Sequence, residues 1–418
     1  MKAPNLASTR CPSLYLTREQ EALLAGEGGE ALRLAMEILV ALGEVYGAER
    51  LIPIESAHIS GTSYTSCGDA GIDLLSRLAS QGARLKVPST LNPVAIPLNN
   101  WRKLGFPEQL ASKQLAILDL YAELGAAGAV TCRPYLAGNL PAFGSHVAWA
   151  ESSAVVYANS LLGARTNMEG GVAALASAML GLTPLYGLHL AENRVPTELV
   201  KVDVELSSDL DFSLLGYFVG EALGGGIPFI QGLPSWAGVE ELKSMGASMA
   251  TSGSMAMFHA PPHTPEAQAY SVEALASTSV GRAELSRVLE RLSCSGGLKV
   301  DCVALGCPHL SLEELRRVAS LLEGFKVAEG VKLWLFTSEA VACLARQAGY
   351  LRVVEAAGGE VLVGGCVVHA PLKELGVEVL VTNSAKAAHY CASIHGVEVC
   401  LAPLHECLRA AEVGRWPP

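Results

Sequence analysis

A largely parallel α/β fold is what this sequence predicts, and three observations predict it. Short apolar, β-branched runs alternate with helical ones along the chain, the alternation that builds strand–helix–strand units. Half of the 418 residues are hydrophobic and only 17% are charged, enough apolar material to bury a core spread over two or three subdomains. The last third repeats one grammar three times: an apolar strand, a short loop with polar or thiol groups, then a helix. No fixed-period repeat and no long linker interrupts this order.

The elements follow in sequence. Thr17-Arg18-Glu19-Gln20 reads as a capping box and opens a helical stretch with apolar positions at Leu32, Met36, Ile38 and Leu42. Residues 51–54, 84–87, 129–132, 199–204, 227–230 and 247–257 read as strands, and 71–80, 108–124 and 211–223 as helices. Gly224-Gly225-Gly226 follows a helix rather than a strand, so it reads as a helix stop and not a phosphate cradle. In the last third, strand 299–305 ends at Gly306-Cys307-Pro308-His309, and Ser311-Leu312-Glu313-Glu314 caps the next helix. Strand 360–363 ends at Gly364-Gly365-Cys366. Strand 377–381 ends at Thr382-Asn383-Ser384-Ala385-Lys386, where Asn383 or Ser384 can cap a helix running through His389. Open parallel sheets bind ligands beyond the carboxyl ends of their strands, so these loops should face one site containing Cys307, Cys366 and Lys386. The chain divides into an N-terminal α/β region with substrate loops, 1–290, and a C-terminal α/β region, 291–418.

Composition excludes several classes of function. Thirty basic residues against 41 acidic ones leave a net charge of −11, which argues against a nucleic-acid binder and for small-molecule partners. Residues 172–191 are uncharged for about the length of a membrane span, but Gly181, Pro184, Gly187 and His189 interrupt them, so a buried soluble core that turns at Thr183-Pro184 is expected. The first 20 residues hold no apolar stretch of a secretory signal, and a cytoplasmic location follows. Eleven cysteines cannot all pair with one another; in a reducing compartment they should remain thiols, most of them small buried hydrophobes. Cys294 and Cys302 fall in this group, and Cys11, Cys67 and Cys343 have no partner pattern.

The question is whether a subset of the thiols sits where chemistry happens; spacing alone does not single one out, since no CxxC is present and any three of the eleven could be chosen. Cys132 lies at the mouth of strand 129–132, broken by Pro134, and joins Cys307 and Cys366 as a third strand-end thiol. Three converging thiolates are the ligand set of an iron–sulfur cluster with one iron lacking a protein ligand. Such an iron is a Lewis acid able to hold a substrate hydroxyl and help it leave. A rival metal set, His389, Cys391, His395, Cys400, His405 and Cys407, is dense enough for zinc, but its separations match no knuckle, and 397–401 reads as a core strand that buries Cys400. No Walker loop, GxSxG elbow or HExxH is present. Three polar loops, 56–63, 89–93 and 151–153, offer backbone and hydroxyl donors to an anionic substrate, although each alone reads equally well as a cap or turn.

Seven stretches carry a resemblance: Tyr15-Leu16-Thr17, Ser56-Ala57-His58-Ile59-Ser60-Gly61, Thr131-Cys132-Arg133-Pro134-Tyr135-Leu136, Trp149-Ala150-Glu151-Ser152-Ser153-Ala154, Ala164-Arg165-Thr166-Asn167 with Glu169-Gly170, Gly306-Cys307-Pro308-His309-Leu310-Ser311, and Asn383-Ser384-Ala385-Lys386 with Ala388-His389-Tyr390. Together they make the chain resemble the large subunit of the aconitase X family along nearly its whole length. The resemblance implies an aconitase-like, multi-subdomain α/β fold and a hydro-lyase whose iron–sulfur cluster, [4Fe–4S] by expectation, is held by Cys132, Cys307 and Cys366. It implies that Lys386 meets a carboxylate or phosphate, and that Gly61, Thr62, Ser63, Asn92, Pro93, Glu151 and Ser152 approach or hydrogen-bond the substrate. The proton acceptor is not identified in this chain; it is expected in a separate small subunit, with His58, Glu151 and His309 as fallbacks. Since the sequence stops at Trp416-Pro417-Pro418, the small swivelling domain is expected as a second polypeptide, making a heterodimer. That arrangement, with more Arg than Lys, favours dehydration of (R)-5-phosphomevalonate to trans-anhydromevalonate 5-phosphate, in isoprenoid biosynthesis, over dehydration of cis-3-hydroxy-L-proline or another hydroxy acid. A non-catalytic metal-binding or scaffold subunit is the alternative of another class. One departure from the family pattern is Gly364-Gly365, where relatives often have Asp-Thr.

Overall fold

The computed structural model describes residues 14–417, so Cys11 lies outside the described residues. Thr17 and Gln20 cap each other reciprocally, and the opening helical stretch is two helices, Arg18–Leu24 and Glu30–Val45, parted where Gly26 and Gly29 take positive φ. A three-stranded parallel sheet follows, ordered Ser89–Leu91, Ala57–Ile59, Ala148–Trp149. The strand expected at 84–87 is displaced to Ser89–Leu91, because Pro88 has no N–H to give to a ladder and pairing starts after it. Residues 129–132 likewise form no strand; they touch the sheet at one bridge, Leu91 with Val130, before Pro134 turns the chain. The uncharged run 172–191 folds as the buried helix Gly171–Leu180, a left-handed Gly181 and the short strand Leu182–Pro184. Among the described residues no helix is long and apolar enough to cross a membrane.

The second sheet, Pro228–Gln231, Glu198–Val202, Ser277–Val280, is also parallel. Residues 247–257, expected as a strand, instead complete the helix Val239–Gly253. Its small residues serve a helix–helix contact with Asp209–Leu223. A Cβ added at Gly216 would lie 2.0 Å from the Met245 carbonyl oxygen, one at Gly253 would lie 2.1 Å from that of Gly220, and the Ser213 and Ser248 hydroxyls are 2.9 Å apart. A run of Ala, Ser, Thr and Gly chosen for close approach carries little periodicity, which is why it passes for a strand.

The third sheet has five parallel strands in spatial order Gly359–Val363, Lys332–Thr337, Cys302–Leu305, Val379–Thr382, Glu398–Leu401. Counted along the chain this order is 3-2-1-4-5, so the connection reverses between the first strand and the fourth. The loops bearing Cys307 and Lys386 leave these two adjacent strands, on either side of the crevice. The Lys332–Thr337 strand had no counterpart in the sequence reading. One face of the sheet packs on helices Leu312–Leu321, Tyr350–Ala357 and Leu404–Val413; the other shares a core with the second sheet's helices. The expectation that the cysteines remain thiols fails at one pair: Cys294 and Cys400 form a disulfide across 106 residues. The Cys294 N–H donates to the Val399 carbonyl at 2.7 Å, and this alignment of the chain beside the outermost strand brings the two sulfurs together.

Candidate active site

The sheet positions the thiols. Cys307 follows Gly306, whose φ of +104° and close approach to the Phe336 carbonyl, 2.4 Å from a would-be Cβ, leave room for no side chain. Cys366 follows Gly364, at φ +70°, and Gly365, which lies beside Pro97. Segment 94–99 pairs here as an added edge: the Val94 N–H donates to the Gly364 carbonyl at 2.9 Å and the Cys366 N–H donates to that of Val94 at 3.1 Å. The Gly364-Gly365 departure thus fits a backbone crossing at this point. Cys132 arrives just after the Leu91–Val130 bridge of the three-stranded sheet, and the His309 N–H donates to its sulfur at 3.1 Å.

All three cysteines line one cavity of about 310 Å³, together with Asn92, Pro93, Glu151, Ser152 and Lys386. Gly61, Thr62 and Ser63 do not line it; Gly61 is exposed, and Thr62 and Ser63 are buried next to the wall, where the Thr62 hydroxyl donates to the Asn92 carbonyl at 2.8 Å. His369, Tyr390 and Ile394 also line the cavity and were missed in the sequence. His369 lies in the loop that begins at Cys366, and only the fold turns it into the cavity. It reaches Thr65 at 3.2 Å, and Thr65 reaches Ser63 at 2.8 Å, so a chain of hydroxyls joins the two loops.

Two of the fallback bases are engaged elsewhere. The His309 Nε2 lies 2.8 Å from the Gly365 carbonyl, which can only accept, so Nε2 carries the proton and Nδ1 accepts from the Thr131 hydroxyl at 3.1 Å. Both ring nitrogens therefore hold loops together, and burial pushes the imidazole down to about 4, keeping it neutral. His58 is fully buried, is pushed down to about 4 by the same desolvation, and bonds Thr90 at 2.8 Å. Glu151 caps helix Ser152–Tyr157 through the Ala154 N–H and pairs with Lys386, whose ammonium also donates to Ser152 Oγ at 3.3 Å. Burial raises the Glu151 carboxyl, but Lys386, Ser153 and the Ala154 N–H outweigh it and the net direction is down. For Lys386 burial works against the charge, yet the Glu151 carboxylate outweighs it and holds the ammonium. Lys386 is thus a charge already partnered before substrate enters.

The donor set suits a soft metal centre. Desolvation pushes the Cys132 and Cys307 thiols up to about 12 and Cys366 up to about 11, so they ionise at neutral pH only when cationic metal offsets the burial. Among the described residues no three His, Cys, Asp or Glu side chains are close enough to grip a single metal ion. A cluster, whose thiolates each bind a different iron, asks for wider spacing than one ion does. Asn92 lines the wall, and its side chain sits against the buried His58 ring, where it favours the protonated imidazole against burial. The rival zinc set does not gather. Cys400 is in the disulfide, His389 bonds Tyr217, His395 bonds the Val368 carbonyl, and His405 is exposed.

Comparison with known proteins agrees along the chain. Family models described as aconitase X first, second and third domains match residues 13–192, 196–290 and 300–413. The phosphomevalonate dehydratase large subunit of Methanothermobacter thermautotrophicus is 47% identical over 92% of this chain and 96% of its own. The cis-3-hydroxy-L-proline dehydratase of Pseudomonas aeruginosa is 39% identical over 95% of this chain and 70% of its own. The crystal structure of Thermococcus kodakaraensis aconitase X in its holo form superposes with a TM-score of 0.89 at 41% identity, covering 95% of this chain and 100% of that one.

Proposed function

The chain belongs to the aconitase X family, and from that premise we propose that it is the large subunit of an iron–sulfur hydro-lyase converting (R)-5-phosphomevalonate to trans-anhydromevalonate 5-phosphate. The observation that carries the reading is the meeting of Cys132, Cys307 and Cys366 at one cavity beside the Glu151–Lys386 pair. Phosphomevalonate is favoured because the relative named for it matches at 47% identity and end to end, against 39% for the hydroxyproline enzyme, of whose length this chain covers 70%. That relative is named a large subunit, and we assign this chain a small-subunit partner on the same ground.

Cys132, Cys307 and Cys366 would hold the cluster, [4Fe–4S] by assignment; when bound it supplies a Lewis acid for the departing hydroxyl. Lys386, held by Glu151 and Ser152, presents its charge to the substrate's carboxylate or phosphate and is fixed before binding, so little side-chain entropy is lost on contact. Asn92 and Pro93 form the wall that the substrate meets, and Gly61, Thr62 and Ser63 brace it. Elimination then breaks the tertiary C–O bond and removes a proton from the carbon beside the carboxylate. The proton acceptor is assigned to the small subunit, since both nitrogens of His309 are occupied, His58 is sealed and Glu151 is paired.

Anaerobic reconstitution tests the reading. The wild-type chain should take up iron and sulfide with a charge-transfer absorption, and Cys132→Ala, Cys307→Ala and Cys366→Ala should each abolish it. The complex should dehydrate phosphomevalonate and leave cis-3-hydroxyproline unchanged. The reverse preference would make it a hydroxyproline dehydratase, and no turnover on either would make it a binding subunit.

A further inference from the structure

One group of buried charges next to the site has no part in the chemistry above. Arg133 directly follows Cys132, and its side chain is 1% exposed. Its guanidinium donates to the His309 carbonyl at 3.1 Å, to Glu314 at 2.9 Å, to Glu240 at 3.1 Å and to the Tyr135 hydroxyl at 3.0 Å. Lys243, 4% exposed, closes the group through Glu314 at 2.7 Å and Glu240 at 3.2 Å. Two buried cations are thus paired with two carboxylates that are 16% and 19% exposed, and they come from three places: Arg133 from the Cys132 segment, Glu240 and Lys243 from helix Val239–Gly253, and Glu314 from the first turn of helix Leu312–Leu321, just after the Cys307 loop.

Buried ion clusters are poor sources of stability, because desolvation cancels most of the attraction and apolar residues of the same volume serve as well. A planar guanidinium with several fixed acceptors is good at setting geometry. What it sets here is the approach of two thiol loops. The Arg133 N–H donates to the Thr131 hydroxyl at 3.0 Å, that hydroxyl donates to His309, the guanidinium takes the His309 carbonyl, and the His309 N–H meets the Cys132 sulfur. We infer that Arg133, anchored by Glu240, Lys243 and Glu314, is a positioning residue that fixes Cys132 against the Cys307 loop. Helix Val239–Gly253, which lends no residue to the cavity, thereby bears on the thiol triad. The iron–sulfur reading enters only in what the thiols hold.

The test uses the full chain. Arg194 supplies the control: it too is 1% exposed, pairs with Glu266 and hydrogen-bonds Asn159, but lines no part of the cavity. In metal-free protein under native conditions, alkylation of each cysteine is followed by mass spectrometry, with exposed Cys343 as reference. Arg133→Met should speed alkylation of Cys132 about tenfold, as expected when a protecting local structure opens. Lys243→Met, further from the thiols, should shift it the same way and carries the test if Arg133→Met does not fold. Both should also lower iron retained after reconstitution. Arg194→Met should lower the melting temperature and leave both readouts at wild-type values. The inference is overturned if Arg133→Met and Lys243→Met leave Cys132 protected and iron retained, or if Arg194→Met moves them equally. Failure of the wild type to take up iron would sink the proposed function, while the alkylation pattern would still decide this inference.

Discussion

Glu169 is a carboxyl that burial raises to about 7, opposed only by Thr183, and its Oε1 has no hydrogen-bond partner. The folded chain therefore holds a proton that the unfolded chain has lost between pH 4.5 and 7, and stability falls as pH rises through that window. Glu169→Gln, which keeps the neutral shape, should match wild type near pH 4.5 and exceed it at pH 8, by a ceiling of roughly 3 kcal/mol; urea unfolding at the two pH values measures this. The Glu151–Lys386 pair predicts the opposite pattern. Lys386→Met leaves a carboxylate buried without its cation and should cost roughly 3–5 kcal/mol, part of which Glu151→Gln in the same chain restores; additive losses in the double variant would contradict the coupling. At this scale the sequence was informative where a residue type announces its chemistry. Cys307, Cys366 and Lys386 follow strand ends and Cys132 follows a single bridge, and all four line one cavity. His369 was not legible, because its relevance depends on a fold that turns it toward Thr65. Nor was the partnering of Lys386 by Glu151, 235 residues away along the chain.

Among the elements, those with strong local signals stand where the pattern put them. Helix Glu108–Leu124 and the Ser311 capping box are such cases. Where tertiary packing decides, the pattern misleads: helix Val239–Gly253 is built for close contact with its neighbour, so its small residues hide the helical period. The Cys294–Cys400 disulfide was likewise illegible, since pairing needs the two backbones side by side and not a spacing. Closing a loop of 106 residues, it should stabilise the chain by up to about 4–5 kcal/mol through the unfolded state. Thermal unfolding with and without reductant checks this: wild type should lose several degrees on reduction, and Cys294→Ser should start at the lower value and not respond. An unchanged wild type would count against the bond.

Across the whole molecule the strand order explains why remote residues meet. Cys307 and Lys386 leave neighbouring strands at the reversal of the five-stranded sheet, and segment 94–99, which follows strand Ser89–Leu91, stitches the three-stranded sheet to the strand that delivers Cys366. The 3-2-1-4-5 order could not be read from the sequence, which holds the strands but not their neighbours; the parallel character could, from the strand–helix alternation. The cavity they form is the premise of the proposed chemistry, in which the three thiols would hold a cluster with one iron open to the substrate. The most direct test is the Mössbauer spectrum of the 57Fe-loaded complex, recorded with and without (R)-5-phosphomevalonate. A single iron site, distinct from the others, should change its parameters when substrate is added while the rest stay fixed. A spectrum that substrate leaves untouched, or protein that retains no iron, would contradict the account.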